Sequence, residues 1–536
     1  MMKRPPWTRC LQAALLAWAV SSTSCKHPKA ARSEALEAGP AEAATAASAP
    51  PTTAAPGRLR CPGTEPTGKK TYYVCDCGPG AGAACRPGGD EAEGDRPDAP
   101  FRTYERARQQ FGHLKAGEAI AFCRGGSFAI QPNTSQQWLN ESCRAGSPCL
   151  VTDYQPAWGR PDEHAPIIHA PPESRVFSLD NSGPSRHEEG YVFANLDLEG
   201  SGSGWAVFLY NDIDDVTMCN LVINNFGIAV HLAGSDTVGP DSDGLNDRIA
   251  LRNSRITNNP GQGWLGGSSG SSIEDCFFEN NGSGKAIFNH NIYLSGDHAR
   301  GMRISRNQLH RSTIVDGKCQ GTSLVAHGIF EDLRIEHNRI WEDRGAAAES
   351  CWGIGVVTGY DRAESFKGVV IDGNTIFDVG NVSIGLNACE DCLVQNNVIA
   401  NGQGFNDSAI QVPAIERGKG DSVDQRVIVK HNSIYVDGGA AITVGQEGTG
   451  HRVVNNVIDL GRKHQSRCFE LPLPAAAYAE VDYNVCRTDA GGEWVKGRDL
   501  PSWTALTGFD RHSAADDPGF VSTAGPGYDL QQKVKR

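Results

Sequence analysis

One short phrase, repeated through the second half of the 536-residue chain, constrains its fold more than any other feature. It reads apolar, two free positions, Asn, one free position and, as a rule, apolar again. The copies are ISRNQL ending at Leu309, IEHNRI at Ile340, IDGNTI at Ile376, VQNNVI at Ile399, VKHNSI at Ile434, VVNNVI at Ile458 and VDYNVC at Cys486. Their fourth letters are Asn307, Asn338, Asn374, Asn397, Asn432, Asn456 and Asn484, at steps of 31, 36, 23, 35, 24 and 28 residues. Looser copies put Ser254 (LRNSRI) and Cys276 (IEDCFF) at the same place. Self-similarity at this spacing marks stacked repeats, so a solenoid is expected.

A second run precedes most copies and alternates apolar with small or polar residues: Ile292-Tyr293-Leu294, Ile354-Gly355-Val356, Ile384-Gly385-Leu386, Ile410-Gln411-Val412 and Ile442-Thr443-Val444. A period of two in Ile- and Val-rich runs indicates strands, and the i, i+3, i+4, i+7 spacing of a helical repeat is missing. Each turn therefore holds two or three short strands, each pairing in parallel with its counterpart one turn on, roughly 4.8 Å away. About eleven turns between Val207 and Asn484 would make a rod on the order of 50 Å long. Asn tolerates the bend between strands, and its amide both donates and accepts, so stacked copies can form a ladder. The Asn row is thus explained structurally, without a ligand.

On these residues the chain resembles the right-handed parallel β-helix proteins of the pectate-lyase-like superfold, over roughly residues 72–530. More closely it resembles exported bacterial right-handed β-helix repeat proteins. The expected fold is all-β: a single-stranded right-handed parallel β-helix with a short N-terminal capping helix and an irregular C-terminal cap. The expected segments are 1–25 signal peptide, 26–70 tether, 71–170 N-terminal cap and first strands, 171–487 β-helix and 488–536 C-terminal cap. Phe101, Tyr104, Arg108, Phe111 and Leu114 lie on a helical stripe with Thr103 as N-cap. Such a helix can cover the open end of a solenoid. Trp494, Trp503 and Phe509 are expected to fold over the last turn.

The start of the chain carries export features. Lys3 and Arg4 precede an apolar run, Leu11 to Val20, too short to span a bilayer. Ser22-Thr23-Ser24-Cys25 follows and resembles a bacterial lipoprotein signal, in which Cys25 would be lipidated; Ser22 stands where Leu is usual. The next residues, rich in Ala, Pro, Ser, Thr and Glu, cannot bury a core and suit a tether. The 17 cysteines fit an oxidising compartment. Expected pairs are Cys143 with Cys149, Cys319 with Cys351, Cys468 with Cys486, and Cys389 with Cys392. The net charge of −13 excludes nonspecific nucleic-acid binding but leaves room for a basic cleft on an acidic body.

The alternation turns His231, Tyr293, His327, Gln411, Thr443 and Glu470 outward along one face, and long excursions flank that face. In enzymes resembling this fold such a groove binds a polysaccharide lengthwise. The richest constellation in it runs from His290 to Arg344: His290, Tyr293, Lys318, His327 and Arg344. Eliminating across a uronic acid unit needs a base, a group that neutralises the carboxylate and an acid for the leaving oxygen, and these residue types can supply all three. Hydrolysis would instead use two carboxylates, from Glu331 or Glu342 with Asp343 or Asp361. The sequence signatures of polygalacturonases and alginate epimerases are absent as sets. An acidic loop bearing Asp236, Asp241, Asp243 and Asp247 could serve Ca²⁺ through Asp241 and Asp243, or be only solvated; no other cofactor is indicated. Three readings follow: a surface or secreted lyase on an acidic polysaccharide, a non-catalytic glycan-binding or cell-envelope β-helix, and a glycoside hydrolase. The expected partners are a polysaccharide, a membrane only through Cys25, and no nucleic acid; the rod is expected to be a monomer.

Overall fold

Each turn of the repeat closes through three strands, and the apolar letters of the phrase become continuous columns inside. The computed structural model describes residues 61, 69–132, 134–180, 187–235, 239, 243–404, 407–461, 466–472, 474–488, 492–525 and 527–532. The proposed signal, Cys25, nearly all of the tether and Asp241 lie outside these residues. The first sheet runs from Thr71–Val74 to Tyr478–Asp482, the second from Ser127–Ala129 to Val485–Arg487, and the third from Arg175–Asp180 to Glu493–Val495. Neighbouring strands in all three run parallel. This is a parallel β-helix.

Register makes the columns. On the first sheet Ile273, Ile304, Ile335, Ile371, Val394, Val429 and Val453 pair in succession. On the second, Phe278, Leu309, Ile340, Ile376, Ile399, Ile434 and Ile458 do the same. The third stacks Ile292, Leu324, Ile354, Ile384, Ile410, Ile442 and Phe469. All are buried. Each such side chain contributes on the order of 2 kcal/mol by leaving water, so a one-residue slip in one turn would turn its core side chains outward.

The ladder takes a sharper form than the sequence suggests. In each copy the backbone N–H and the Nδ2 of one Asn both donate to the Oδ1 of the next. For Asn307 to Asn338 the distances are 2.9 and 3.0 Å, and the pattern continues through Asn374, Asn397, Asn432 and Asn456 to Asn484. Each Nδ2 also donates to a strand carbonyl of the preceding turn, as Asn338 does to Ile304 at 2.9 Å. The bend itself falls on the residue before the Asn. Arg306, His337, Gly373, Asn396, His431, Asn455 and Tyr483 hold φ between 55° and 65°, a left-handed geometry that costs a non-Gly residue roughly 1–2 kcal/mol. The expectation that Asn supplies the bend is corrected: it supplies the hydrogen bonds that hold its neighbour bent.

The early strands Thr71–Val74, Ala119–Cys123 and Cys149–Tyr154 join the same 14-stranded ladder as the repeat. One other expectation changes. The C-terminal cap is not wholly irregular: Leu500–Thr507 is a helix, N-capped by Asp499 and ended by Gly508 at φ 78°. The cap closes the ladder chemically. Asn484 donates its N–H to Ser513 Oγ at 2.9 Å and its Nδ2 to Asp510 Oδ1 at 3.3 Å. Asp510 Oδ2 accepts from the buried Trp494 and Trp503 indoles. At the other end the helix Tyr104–Phe111 buries Tyr104, Ala107 and Phe111, with Thr103 as N-cap.

The four disulfides expected from sequence are present, joined by Cys61–Cys219, Cys75–Cys123 and Cys77–Cys85. Cys276, at a ladder position, is a buried free thiol. The ladder predicts a specific weakness. Asn397→Ala removes the acceptor for both Asn374 donors inside a fully buried corner, and each unsatisfied group costs about 1–3 kcal/mol. A loss of roughly 3 kcal/mol is expected in denaturant unfolding, and a change below about 0.5 kcal/mol would contradict this account.

Candidate functional site

The outward row of the third sheet runs through Phe208, His231, Leu265, Tyr293, Val325, Gly355, Gly385, Gln411, Thr443 and Glu470. His231, Tyr293, Gln411, Thr443 and Glu470 share this row as the alternation implies. His327 does not; it pairs with Ser295, two residues further along the strand. Being in the row does not expose a residue. Thr443 is buried and accepts from Ser408 Oγ at 3.0 Å. His231 packs on the Phe208 ring, 5.4 Å between centroids, and burial holds its pKa down to about 4. Glu470 is paired with Arg467.

Four rings form a connected run across the face. His290 lies 5.4 Å from Tyr293, Tyr293 5.4 Å from His327, and His327 5.6 Å from Tyr360. Tyr293 Oη donates to Tyr360 Oη at 3.1 Å, and Tyr360 Oη donates to Ser295 Oγ at 2.7 Å. His327 Nδ1 lies 2.6 Å from the Val357 carbonyl, and His290 Nδ1 lies 2.8 Å from that of Thr322. A carbonyl only accepts, so each Nδ1 carries the proton and the neutral ring keeps a lone pair on Nε2. Burial lowers the His327 pKa to about 4 and that of His290 to about 3. It raises both phenols, keeping them protonated. A neutral base thus sits beside two proton-bearing hydroxyls.

Ser295, which accepts from Tyr360, also lines a neighbouring polar cleft of about 380 Å³, together with Asn246, Ser268, Asp297 and Arg362 among others. Its wall is made by a register shift between Gly296 and Ala299 in the strand Ile292–Arg300. Such an interruption re-aims side chains at the edge of a sheet. Arg362 comes from the excursion after the strand Trp352–Val356. Its Nη2 donates to the Gly296 carbonyl at 3.3 Å, its Nη1 is 3.7 Å from Asp297, and its guanidinium lies 5.3 Å from the Tyr360 ring centroid. It is half-exposed.

The other residues singled out from sequence lie elsewhere. Lys318, in the hairpin of Ile314–Val315 and Lys318–Cys319, donates to the Gly345 carbonyl at 2.5 Å. Arg344 is 3.7 Å from Asp378 and donates to Tyr528 Oη at 3.4 Å, while Tyr528 donates to Asp378 at 2.6 Å. Both residues sit on the excursions entering the third sheet, whereas the cleft lies where its strands leave. The carboxylates proposed for hydrolysis are likewise divided. Glu342, on the entering side, is buried, accepts from the Ser312 N–H and is pushed up to about 8 by that burial. Asp343 is 3.0 Å from His310, and Glu331, on the leaving side, is paired with Arg300. Asp361 leaves with the excursion that carries Arg362.

Of the proposed calcium ligands, Asp241 is outside the described residues and Asp243 accepts the Leu245 N–H in a local turn. Among the described residues, two groups bring three ligand atoms within 4.8 Å of one another: Cys319, Glu342 and Cys351, and His187, Asp212 and Asp214. The first pair of sulfurs is joined in a disulfide, and in the second Arg248 already lies 2.7 Å from Asp214. Sequence reasoning missed Tyr360 and Arg362, since alternation says nothing about side chains on an excursion.

No protein-family model matches the sequence, and no curated protein matches it. Similar solved structures include an alginate lyase from Paenibacillus sp., at 13% identity and TM-score 0.37 over 72% of this chain and 95% of that one. The A-module of a mannuronan C-5 epimerase from Azotobacter vinelandii is similar at 12% identity and TM-score 0.43, over 77% and 93%. A surface adhesin of Streptococcus pneumoniae is similar at 10% identity and TM-score 0.40, over 73% and 87%. At these values the likeness carries no inference about activity.

The ring run predicts a titration. Unfolded, both histidines take a proton near 6.5; folded, they resist it. Their contribution to stability is complete above 6.5 and is lost as pH falls through about 4 for His327 and about 3 for His290. Long-range ¹H–¹⁵N NMR at about pH 5.5 should show both rings neutral with the proton on Nδ1; an imidazolium at either position would contradict the geometry.

Proposed function

We propose that the protein cleaves an acidic, uronate-containing polysaccharide by β-elimination at the cleft beside His327. The observation that carries this reading is the juxtaposition of a neutral His327, its Nε2 free to accept, with the hydrogen-bonded phenols of Tyr293 and Tyr360 and the half-exposed Arg362. Arg362 neutralises the uronate carboxylate and so acidifies the adjacent C5–H. His327 Nε2 takes that proton. The C4–O bond breaks as the C4=C5 double bond forms, and the leaving oxygen takes a proton from Tyr360. Tyr293, which donates to Tyr360, passes a proton to that phenolate; solvent returns a proton to Tyr293 and takes the one held by His327, so the cycle closes with no net proton change. General acid–base steps of this kind are worth about 10²–10⁴-fold each. His290, buried behind Tyr293, orients that ring. Lys318 and Arg344 take no part in this scheme, because each already serves a neighbouring excursion or the C-terminal segment. The same groove without turnover would be a glycan-binding surface.

The compartment agrees with such a substrate. Seven disulfides among the described residues suit an oxidising environment outside the cytosol. No helix of the described residues is long and apolar enough to cross a membrane. Attachment at a cell surface would come through a lipid on Cys25, with the residues after it as tether.

The test is incubation with a panel of uronate polymers, following the ultraviolet absorbance of unsaturated ends. On a polymer that is cut, His327→Ala should lower kcat about 10²–10⁴-fold and Tyr360→Phe at least about tenfold. Arg344→Ala should stay within about twofold. Binding without new unsaturated ends would assign the groove to glycan recognition alone.

A further inference from the structure

The excursion that carries Tyr360 and Arg362 leaves the third sheet after Val356 and re-enters it at Ser365. At its start Val357 bonds to the strand bearing His327, through its N–H to the Ala326 carbonyl at 3.1 Å and its carbonyl to His327 Nδ1; beyond that, one carboxylate ties it to that strand. Glu364, 1% exposed, accepts the Gly328 N–H on Oε1 at 2.5 Å. Its Oε2 accepts the N–H groups of Gly359 at 2.5 Å and Tyr360 at 2.7 Å. Gly328 follows His327 directly, and at φ 109° any Cβ there would lie 2.1 Å from the Gly296 carbonyl oxygen. A Cβ at Gly359 would lie 2.7 Å from His327 Cε1. The backbone on both sides of the His327–Tyr360 contact is therefore pressed close and hydrogen-bonded to one side chain.

Among the described residues no cation forms an ion pair with that carboxylate. The groups facing it are Asp421 from the next excursion, whose Oδ1 accepts the Glu364 N–H at 2.9 Å, then Tyr360 and Arg362 from its own excursion, and Tyr293 and His327 from the sheet. Arg362 is turned to Asp297 and Gly296 instead. A buried carboxylate without an ion partner is costly to stability. Its three N–H donors compensate only while both oxygens can accept. Protonation removes the charge that strengthens all three bonds, and on Oε2, where two N–H groups already bind, it displaces an arm; only Oε1 has a site to spare, so the bridge is weakened.

We propose that Glu364 is a positioning residue whose ionised form bridges the His327 strand to the Tyr360 excursion, so that the site is assembled only while Glu364 is charged. This rests on the reading of His327 and Tyr360 as base and acid. Burial, reinforced by Asp421, holds the Glu364 carboxyl above its ordinary range. The acid limb of activity should therefore follow Glu364 and not His327, which stays neutral to lower pH.

Glu364→Gln supplies one acceptor and one donor and imitates the protonated state. Hydrogen exchange of the Gly328, Gly359 and Tyr360 amides, corrected for intrinsic rates, should show at least about tenfold lost protection in this variant at neutral pH. The wild-type protein should lose the same protection as it is acidified. On a polymer that is cut, the variant should have lower kcat and no acid limb. In Asp421→Asn, which removes the like charge, the limb should move to lower pH. Unchanged protection in Glu364→Gln, or a limb that stays in place in both variants, would overturn the proposal. If the wild-type protein cuts no polymer, the catalytic reading fails separately, and the exchange data still decide whether Glu364 holds the bridge.

Discussion

A column of buried amides runs along the corner between the first and second sheets, and the rest of the molecule depends on its spacing. Parallel strands pair only if each turn returns to the same height and the same register. Seven asparagines enforce this from within, because an Oδ1 that accepts two N–H groups of the preceding turn tolerates little displacement. The left-handed residue before each Asn is unfavourable alone and persists because its neighbour is so tightly held. Excursions between strands can then vary widely in length, since the corner and not the loop sets the rise.

That division of labour explains how a site can be placed on so regular a body. The three apolar columns hold the sheets, and the outward row of the third sheet is free to carry chemistry. The excursions that leave that sheet build the walls. Close backbone approach falls at glycines. At Gly328 and Gly359 the backbone comes near enough to seat the His327 ring between a strand and a loop, which no side chain at either position would permit.

Burial then tunes the groups so placed. The same removal from water that keeps His327 neutral keeps the Tyr293 and Tyr360 phenols protonated, because both shifts disfavour charge. Glu364 feels the same tendency, burial holding its carboxyl above the ordinary range, while three backbone N–H groups favour its charged form. In a chain of formal charge −13, the charged groups lining the cleft are Arg362 and Asp297, 3.7 Å apart.

Much of the fold was legible in the order of residues. The Asn phrase, the period-two runs and the Thr103 cap identify stacked parallel strands, their inward faces and the closing helix, because each is a local rule that repeats. Four disulfides could be paired for the same reason, being close in sequence or one turn apart. The helix after Asp499 was missed although its cap residue and terminal Gly508 stood in the sequence, since eight residues give little periodicity. Only the tertiary structure decided the site. Tyr293 and His327 could be named from alternation, but their alliance with Tyr360, Arg362 and Glu364, and the separation of Lys318 and Arg344 to the opposite edge, depend on the paths of excursions. A strand's side chains are set by a period of two; a loop's are set by whatever hydrogen bonds it finds in the fold, and no local rule in the chain encodes them.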